Sequence, residues 1–413
     1  MSVLKRLSVI KTHLSGLPKV YLFPVLFLSA VVSCAQMPVK SGIALDKKVQ
    51  TGADQTSEYL PLLTGKTVAL VANPTSIIGK THLVDSLKSL KVNLTLVFAP
   101  EHGFRGEAEA GESVADGIDK KSGVRVVSLY GNHKKPSDDD LKGIDIVVFD
   151  IQDVGARFYT YISTLQYVLE ACADHQVEIL VLDRPNPNGH YADGPVLDPK
   201  YASFVGMQPI PVVHGMTIGE YAGMLIGEKW LSTTNECRLK VVRMKNWTHS
   251  DDYVLPVPPS PNLPNQASIR LYPSLCFFEG TNVSLGRGTG LPFQCYGFPG
   301  NLSGDFRFTP VSLPGKALNP PFKDVECTGE NLSADAKSNR YSRLELKWLI
   351  KAYNACPDKN SFFNDFFNKL AGTDLLARQI RDGLTESDIR KSWEPELEKF
   401  KKIRSAYLLY PAN

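Results

Sequence analysis

The sequence lacks the short motifs that would assign its chemistry directly. It contains no G-x-S-x-G nucleophile motif, no H-E-x-x-H zinc motif and no pair of cysteines at C-x-x-C spacing. These absences argue against an α/β-hydrolase serine and against a zinc site built on a local motif. We therefore expect neither a metal nor another cofactor.

An excess of charge of one sign is also missing. The 46 lysines and arginines nearly balance the 43 aspartates and glutamates, which gives a net charge of +3 over 413 residues. A nucleic-acid-binding protein usually carries a strongly basic surface, so no nucleic-acid partner is expected.

Long apolar runs are absent beyond the N-terminus. Val20–Val32 is a predominantly apolar run of 13 residues that follows several basic residues and is too short to span a bilayer. Val31-Val32-Ser33-Cys34 then resembles a lipoprotein box. We predict a signal peptide over 1–33, lipidation of Cys34, a flexible tether over 34–58 and a lipid-anchored, periplasm-facing location in the bacterial cell envelope. The alternative is secretion after cleavage near Ala35.

Six further cysteines are widely and irregularly spaced. Their even number permits disulfides in an oxidising compartment. Cys172 lies within a helical pattern, so we predict that it is a buried free thiol.

Strand and helix patterns alternate through residues 59–258. This order predicts an α/β fold, a Rossmann-like and mostly parallel sheet with helices on both faces. Residues 259–413 are predicted to form a smaller α+β auxiliary domain that closes the cleft. The predicted strands are Gly65–Val71, Val92–Ala99, Val124–Leu129, Ile144–Asp150, Val177–Asp183 and Leu239–Met244. The predicted helices are Ile78–Leu90, Tyr161–His175, Gly215–Trp230, Leu344–Tyr353, Ser361–Leu370 and Thr385–Leu397.

Polar clusters follow three of the predicted strands, namely Glu101-His102, Asp150–Arg157 and Asp183–His190. Open parallel sheets bind ligands beyond the carboxyl ends of their strands, so these clusters predict one shared site. A dinucleotide is not the expected ligand. Glu107 and Glu109 interrupt the glycines that follow Glu101, and their carboxylates would repel a phosphate.

Glu101 is the predicted general acid, because a carboxyl group at the mouth of an apolar strand can have its pKa raised by desolvation. The alternative is an ordinary loop glutamate paired with Arg105. Arg157 and Tyr159 are predicted to bind substrate, since arginine pairs with carboxylates and tyrosine stacks on sugars. Asp150 is either catalytic or a helix cap. The other candidate substrate-binding residues are Arg105, Gln152, Asp183, Asn186, His214, Asn262, Glu279 and Arg287.

Six stretches together resemble the exo-β-N-acetylmuramidases of peptidoglycan turnover, a glycoside hydrolase family. They are APEHGFRGEAEAG, FDIQDVGARFYTYI, LDRPNPNG, VVHGMTIGEYA, PSPNLP and EGTNVSLGRGT. The resemblance runs from Gly65 to the C-terminus. It implies a Rossmann-like domain with an auxiliary domain, an active site between them, and removal of N-acetylmuramic acid from the non-reducing end of muramyl saccharides. It also implies that Glu101, in the E-H-G-x-R-G motif, is catalytic.

Such a hydrolase needs further groups besides Glu101. Arg157 or Arg287 is predicted to hold the lactyl carboxylate of muramic acid, which would be costly to bury unpaired. The predicted catalytic set also contains His102, Asp150 and Asp153. The second carboxylate stays open among Asp150, Asp153, Asp183, Glu107 and Glu109, or the 2-acetamido group of the substrate acts as nucleophile. The alternatives are a lipid-anchored sugar-binding protein without activity and a hydrolase with a metal on Glu101, His102 and Asp150.

Overall fold

A seven-stranded sheet forms the centre of the protein, in a computed structural model that describes residues 48–101, 103–105, 116–300 and 304–411. In these ranges the strands are β1 Val68–Ala72, β2 Ile77–Ile78, β3 Thr81–His82, β4 Leu94–Ala99, β5 Gly117–Ile118, β6 Arg125–Ser128, β7 Ile146–Asp150, β8 Glu178–Leu182, β9 Asp193–Val196, β10 Pro211–Val213, β11 Leu239–Val242, β12 Cys295–Phe298, β13 Phe306–Phe308 and β14 Cys327–Asn331. The α-helices are α1 Thr56–Leu63, α2 Leu83–Ser89, α3 Asp138–Leu141, α4 Tyr161–Asp174, α5 Ile218–Gly227, α6 Gln266–Leu275, α7 Ser333–Ser338, α8 Lys347–Ala355, α9 Phe366–Ala371, α10 Leu375–Arg381 and α11 Glu386–Ser405.

The central sheet has the strand order β11-β8-β7-β1-β4-β6-β5. Its strands pair in parallel except for the edge strand β5, which is antiparallel to β6. Alternate residues of β1 enter different hydrophobic clusters, Ala69 on one face and Leu70 on the other. Helices α4 and α5 cover the first face, and α1 and α2 cover the second. The predicted Rossmann-like sheet with helices on both faces is confirmed.

The later part of the chain has less sheet. Strands β12, β14 and β13 form a small antiparallel sheet, and helices α6 to α11 lie in the same part of the chain. The last helix reaches Ser405, further than the predicted end at Leu397, because Trp393, Leu397 and Phe400 continue one buried stripe.

Local capping explains where several helices begin. The Thr217 hydroxyl accepts from the backbone N–H of Glu220 at 3.2 Å, and the Glu220 carboxylate accepts from the N–H of Thr217 at 2.8 Å. This is the capping box predicted for α5. The helix predicted over Ile78–Leu90 was placed too early, because the antiparallel pair of β2 and β3 occupies its first residues. His82 then caps α2 through its ring Nδ1.

The six cysteines between Cys172 and Cys356 carry free thiols, and the predicted burial of Cys172 is confirmed. In the described ranges, no helix has both the length and the apolar character needed to cross a membrane. Cys34 lies outside the described residues.

Candidate active site

A pocket of about 500 Å³ is lined by residues that follow the carboxyl ends of β4, β6 and β7. Its other wall comes from the segment that contains α6 and the short 3-10 turn Cys276–Gly280. Five predicted site residues meet here, namely Glu101, Tyr159, Asn262, Glu279 and Arg287. The other side chains that line the pocket include Tyr130, Lys134, Phe158, Thr160, Tyr161, Phe204, Ser260, Leu263, Tyr272 and Phe293.

The Glu101 carboxyl group contacts two neutral hydroxyl groups of the described residues. It follows β4 directly after Pro100, and its Oε2 accepts from the Thr160 hydroxyl at 3.5 Å. The hydroxyl of Tyr130 also hydrogen-bonds Glu101, and burial together with the carboxylate charge raises the pKa of Tyr130. A carboxyl group held by hydroxyls can both donate and receive a proton without giving up a salt bridge.

Glu279 has a different environment, because Arg287 pairs directly with its Oε1. The Cys276 thiol donates to the other oxygen at 3.6 Å. Arg287 lies over the Phe293 ring, with 5.1 Å from guanidinium to ring centroid. Burial lowers the pKa of Arg287, but the facing carboxylate outweighs that effect and the pKa is raised. Among the described residues, the pocket therefore holds one carboxyl group without an ion pair, Glu101, and one with an ion pair, Glu279.

Aromatic rings form much of the wall. Tyr159 makes edge-to-face contacts with Tyr161 and Tyr272, at 4.9 and 5.7 Å between centroids. Its hydroxyl donates to the Pro259 carbonyl at 2.7 Å, so Tyr159 offers the pocket a ring rather than a free hydroxyl. Asn262 is anchored in a similar way, because its Nδ2 donates to the Lys316 carbonyl at 2.9 Å. Rings of this kind pack against the apolar faces of sugars.

Asp150 does not reach the pocket, which corrects its predicted catalytic role. It is the last residue of β7, is fully buried and accepts two hydrogen bonds from Arg184, at 2.6 and 2.8 Å. Asp183 is likewise buried, with the hydroxyls of Thr217 and Tyr410 donating to its Oδ2. Both carboxylates hold strand ends and loops together, so neither lies where it could be the second catalytic carboxylate.

Four more predicted residues form a buried layer outside the pocket lining. Gln152 donates to the carbonyls of Asp153 and Pro185, at 2.8 and 2.6 Å. Asp153 accepts from the Gly155 N–H and lies 3.6 Å from Nε2 of His214. The side-chain amide of Asn186 donates to the Met216 carbonyl. These contacts show that the four side chains have structural roles. Asp153 was predicted to be catalytic, and the other three were predicted to bind substrate.

Arg157 is the largest correction. It is fully buried, and its guanidinium donates to the carbonyls of Pro195, Ile210 and Leu370 at 2.7–2.9 Å. It therefore cannot hold a lactyl carboxylate.

Arg105 does not line the pocket, and it forms ion pairs with Asp85 at 3.0 Å and with Asp119 at 2.8 Å. His102, Glu107 and Glu109 lie outside the described residues. In the described part of the chain, no group of three or more His, Cys, Asp or Glu side chains is arranged to hold a metal.

Sequence reasoning did not nominate several pocket residues. Tyr130 and Lys134 follow β6, so the strand-end rule that found Glu101 could also have found them. Phe204, Tyr272 and Phe293 have no comparable local signal, because their role depends on packing between distant segments.

Two family models and a relative of nearly the same length match this chain. Residues 68–267 match the model for the N-terminal part of the exo-beta-N-acetylmuramidase NamZ, and residues 270–410 match the model for its C-terminal part. The peptidoglycan beta-N-acetylmuramidase NamZ of Bacillus subtilis is 40% identical over 407 residues, which cover 93% of this chain and 97% of that protein.

Two crystal structures of DUF1343 family proteins from Bacteroides fragilis share the fold. One has a TM-score of 0.82 and 47% identity, and covers 89% of this chain and all of its own. The other has a TM-score of 0.75 and 29% identity, and covers 88% of this chain and 99% of its own.

Proposed function

This chain belongs to the exo-β-N-acetylmuramidase NamZ family of glycoside hydrolases, and from that premise we propose that it releases terminal β-linked N-acetylmuramic acid from the non-reducing end of peptidoglycan fragments. The observation that carries the proposal is that one aromatic-walled pocket contains two carboxyl groups in different environments, Glu101 and Glu279. Family membership favours this activity over sugar binding without hydrolysis.

Glu101 is the proposed general acid. Glycosidic cleavage needs a proton on the leaving oxygen, and the Glu101 carboxyl group is placed in the pocket where it could donate one. The hydroxyls of Thr160 and Tyr130 orient Glu101 without adding positive charge.

Glu279 is the proposed second carboxylate. Glu279 forms a direct ion pair with Arg287, and a carboxylate at this position can stabilise the positive charge that develops on the sugar ring. As a carboxylate, Glu279 either activates water or orients the 2-acetamido group of the substrate. Asp150, Asp153 and Asp183 are withdrawn from this role because they do not line the pocket.

Turnover of an aryl β-N-acetylmuramide tests both assignments. We expect Glu101→Gln and Glu279→Gln each to lower kcat at least about 100-fold, the typical scale of a positioned acid or base, with little change in melting temperature. Glu58→Gln is the matched control, since Glu58 is exposed and pairs with the surface residue Lys245. Near-wild-type kcat in either pocket variant would remove that glutamate from the mechanism.

We also propose that the chain is lipid-anchored through Cys34 in the bacterial cell envelope. The support is the apolar run Val20–Val32 and the lipoprotein-box pattern that ends at Cys34. Labelled fatty acid should be incorporated into the wild-type chain but not into Cys34→Ser. Equal labelling of the two would refute the anchor.

A further inference from the structure

The proposed substrate places a specific demand on this pocket. N-acetylmuramic acid differs from N-acetylglucosamine by a lactyl ether, whose carboxylate is negatively charged at neutral pH. Burying that carboxylate beside Glu101 and Glu279 without a cation would be strongly unfavourable. The cations that line the described part of the pocket are Arg287 and Lys134.

Arg287 is already neutralised by Glu279, with which it forms a direct ion pair. Drawing Arg287 towards a second carboxylate would weaken the contact that keeps Glu279 in place. The pocket thus needs a different cation for the lactyl group.

Lys134 has the required freedom. Among the described residues it forms no ion pair with a carboxylate, and its Nζ lies 4.7 Å from the centroid of the Phe204 ring. Phe204 itself stacks on Tyr167, with 6.0 Å between centroids, so the ring that supports the ammonium group is held from within the fold. The aromatic face restrains Lys134, and its remaining N–H donors can turn towards a carboxylate in the pocket.

The position of Lys134 relative to Glu101 also fits. Both Tyr130 and Lys134 lie in the loop after β6, and the Tyr130 hydroxyl contacts Glu101. The next residue, Lys135, is oriented differently and pairs with Asp174 at 3.1 Å and with Glu170 at 3.5 Å. Lys135 is therefore ion-paired with α4, whereas Lys134 faces the pocket.

We propose that Lys134 receives the lactyl carboxylate and so selects muramic acid over glucosamine, an inference that rests on the proposed function. Phe204 acts as a positioning residue, because it holds the ammonium group over its ring at the pocket wall. Arg157 and Arg287 have no part in this recognition.

The test compares an aryl β-N-acetylmuramide with the same compound carrying a lactyl carboxamide. We expect Lys134→Met to lower kcat/KM for the carboxylate substrate roughly 10–100-fold, mainly through KM, as a lost charge-assisted hydrogen bond would. For the carboxamide the change should stay within about threefold, and Lys134→Arg should retain most activity. Lys135→Met is the matched control and should leave both substrates unaffected.

Equal losses on both substrates, or no loss on either, would overturn the role of Lys134. Calorimetric titration with free N-acetylmuramic acid and N-acetylglucosamine separates this result from failure of the proposed function. If the wild type does not turn over the muramide but Lys134→Met selectively weakens muramic acid binding, the recognition role stands and only hydrolysis is refuted. If the wild type turns over the muramide and Lys134→Met binds both sugars as the wild type does, the recognition role is refuted alone.

Discussion

Replacing Arg157 should destabilise the fold without changing substrate preference. Its side chain fills a closed site in which Gly206 and Gly372 approach closely, and a Cβ added at Gly372 would lie 2.6 Å from Nη2 of Arg157. The guanidinium links carbonyls from three separated segments, at Pro195, Ile210 and Leu370. Arg157→Met retains most of the side-chain volume and removes the donors.

The magnitude follows from those three carbonyls. A buried acceptor that loses its partner costs about 1–3 kcal/mol. Part of this cost is offset, because burial opposes the guanidinium charge and lowers the pKa of Arg157 to about 9. We expect a net decrease of roughly 2–4 kcal/mol in the free energy of unfolding, a large share of the roughly 5–15 kcal/mol typical of folded proteins.

Urea unfolding and kinetics on the same preparation test this reasoning. Arg125→Met is the control, since Arg125 is mostly exposed and its pairing with Asp140 should contribute less than about 1 kcal/mol. The activities are measured at a temperature where Arg157→Met stays folded. Any loss of activity should then be the same factor on the aryl muramide and on the aryl glucosaminide. Wild-type stability would refute the structural role of Arg157. A selective loss of muramide activity would instead restore Arg157 as a candidate for binding the lactyl group.

Two further predictions concern buried carboxylates. Arg184→Met should lower the free energy of unfolding by about 3–5 kcal/mol, because Asp150 is left buried without its partner, and adding Asp150→Asn should recover part of the loss. Urea unfolding of the single and double variants measures this, and an unchanged single variant would contradict it. Burial raises the pKa of Asp183 from 3.8 to about 6, so the folded chain keeps a proton that the unfolded chain releases. The resulting stability should be complete below about pH 4 and fall by about 3 kcal/mol as the pH rises through about 6. Asp183→Asn should remove this dependence of the free energy of unfolding on pH. If the variant shows the same pH dependence as the wild type, groups other than Asp183 cause it.

Of two residues chosen by the strand-end rule, Glu101 lines the pocket and Asp150 does not, and the register of the sheet explains the difference. Glu101 lies two residues beyond the end of β4, where the chain has left the sheet. Asp150 still pairs with Ala72 inside the sheet. A carboxylate at such a position is covered by the next loops and needs a buried partner, which Arg184 supplies. Sequence patterns locate a strand end only to within a residue or two. Here a difference of that size separates a residue that lines the pocket from one that is buried within the sheet.

Arg157 illustrates a second limit. Its neighbours Phe158 and Tyr159 do line the pocket, so the cluster was correctly located while this side chain turns inward. Its acceptors are backbone carbonyls that come from as far along the chain as Leu370. No local pattern identifies such partners, since every residue carries a carbonyl group. Glu279 and Arg287 could be nominated from sequence because they lie in one glycine-rich loop, whereas the ion pair between them is seen only in the structure.

The two carboxyl groups of the pocket come from distant segments, yet ring packing connects them. Tyr161 follows Thr160, which contacts Glu101, and edge-to-face contacts lead from Tyr161 through Tyr159 and Tyr272 to Phe293. Phe293 in turn lies under Arg287, the partner of Glu279. Packed rings have few alternative rotamers, so this series holds Glu101 and Glu279 in a fixed relation before substrate arrives. The electrostatic contrast between the two groups is thus preorganised by the aromatic core, which is the condition under which fixed charges stabilise a transition state most effectively.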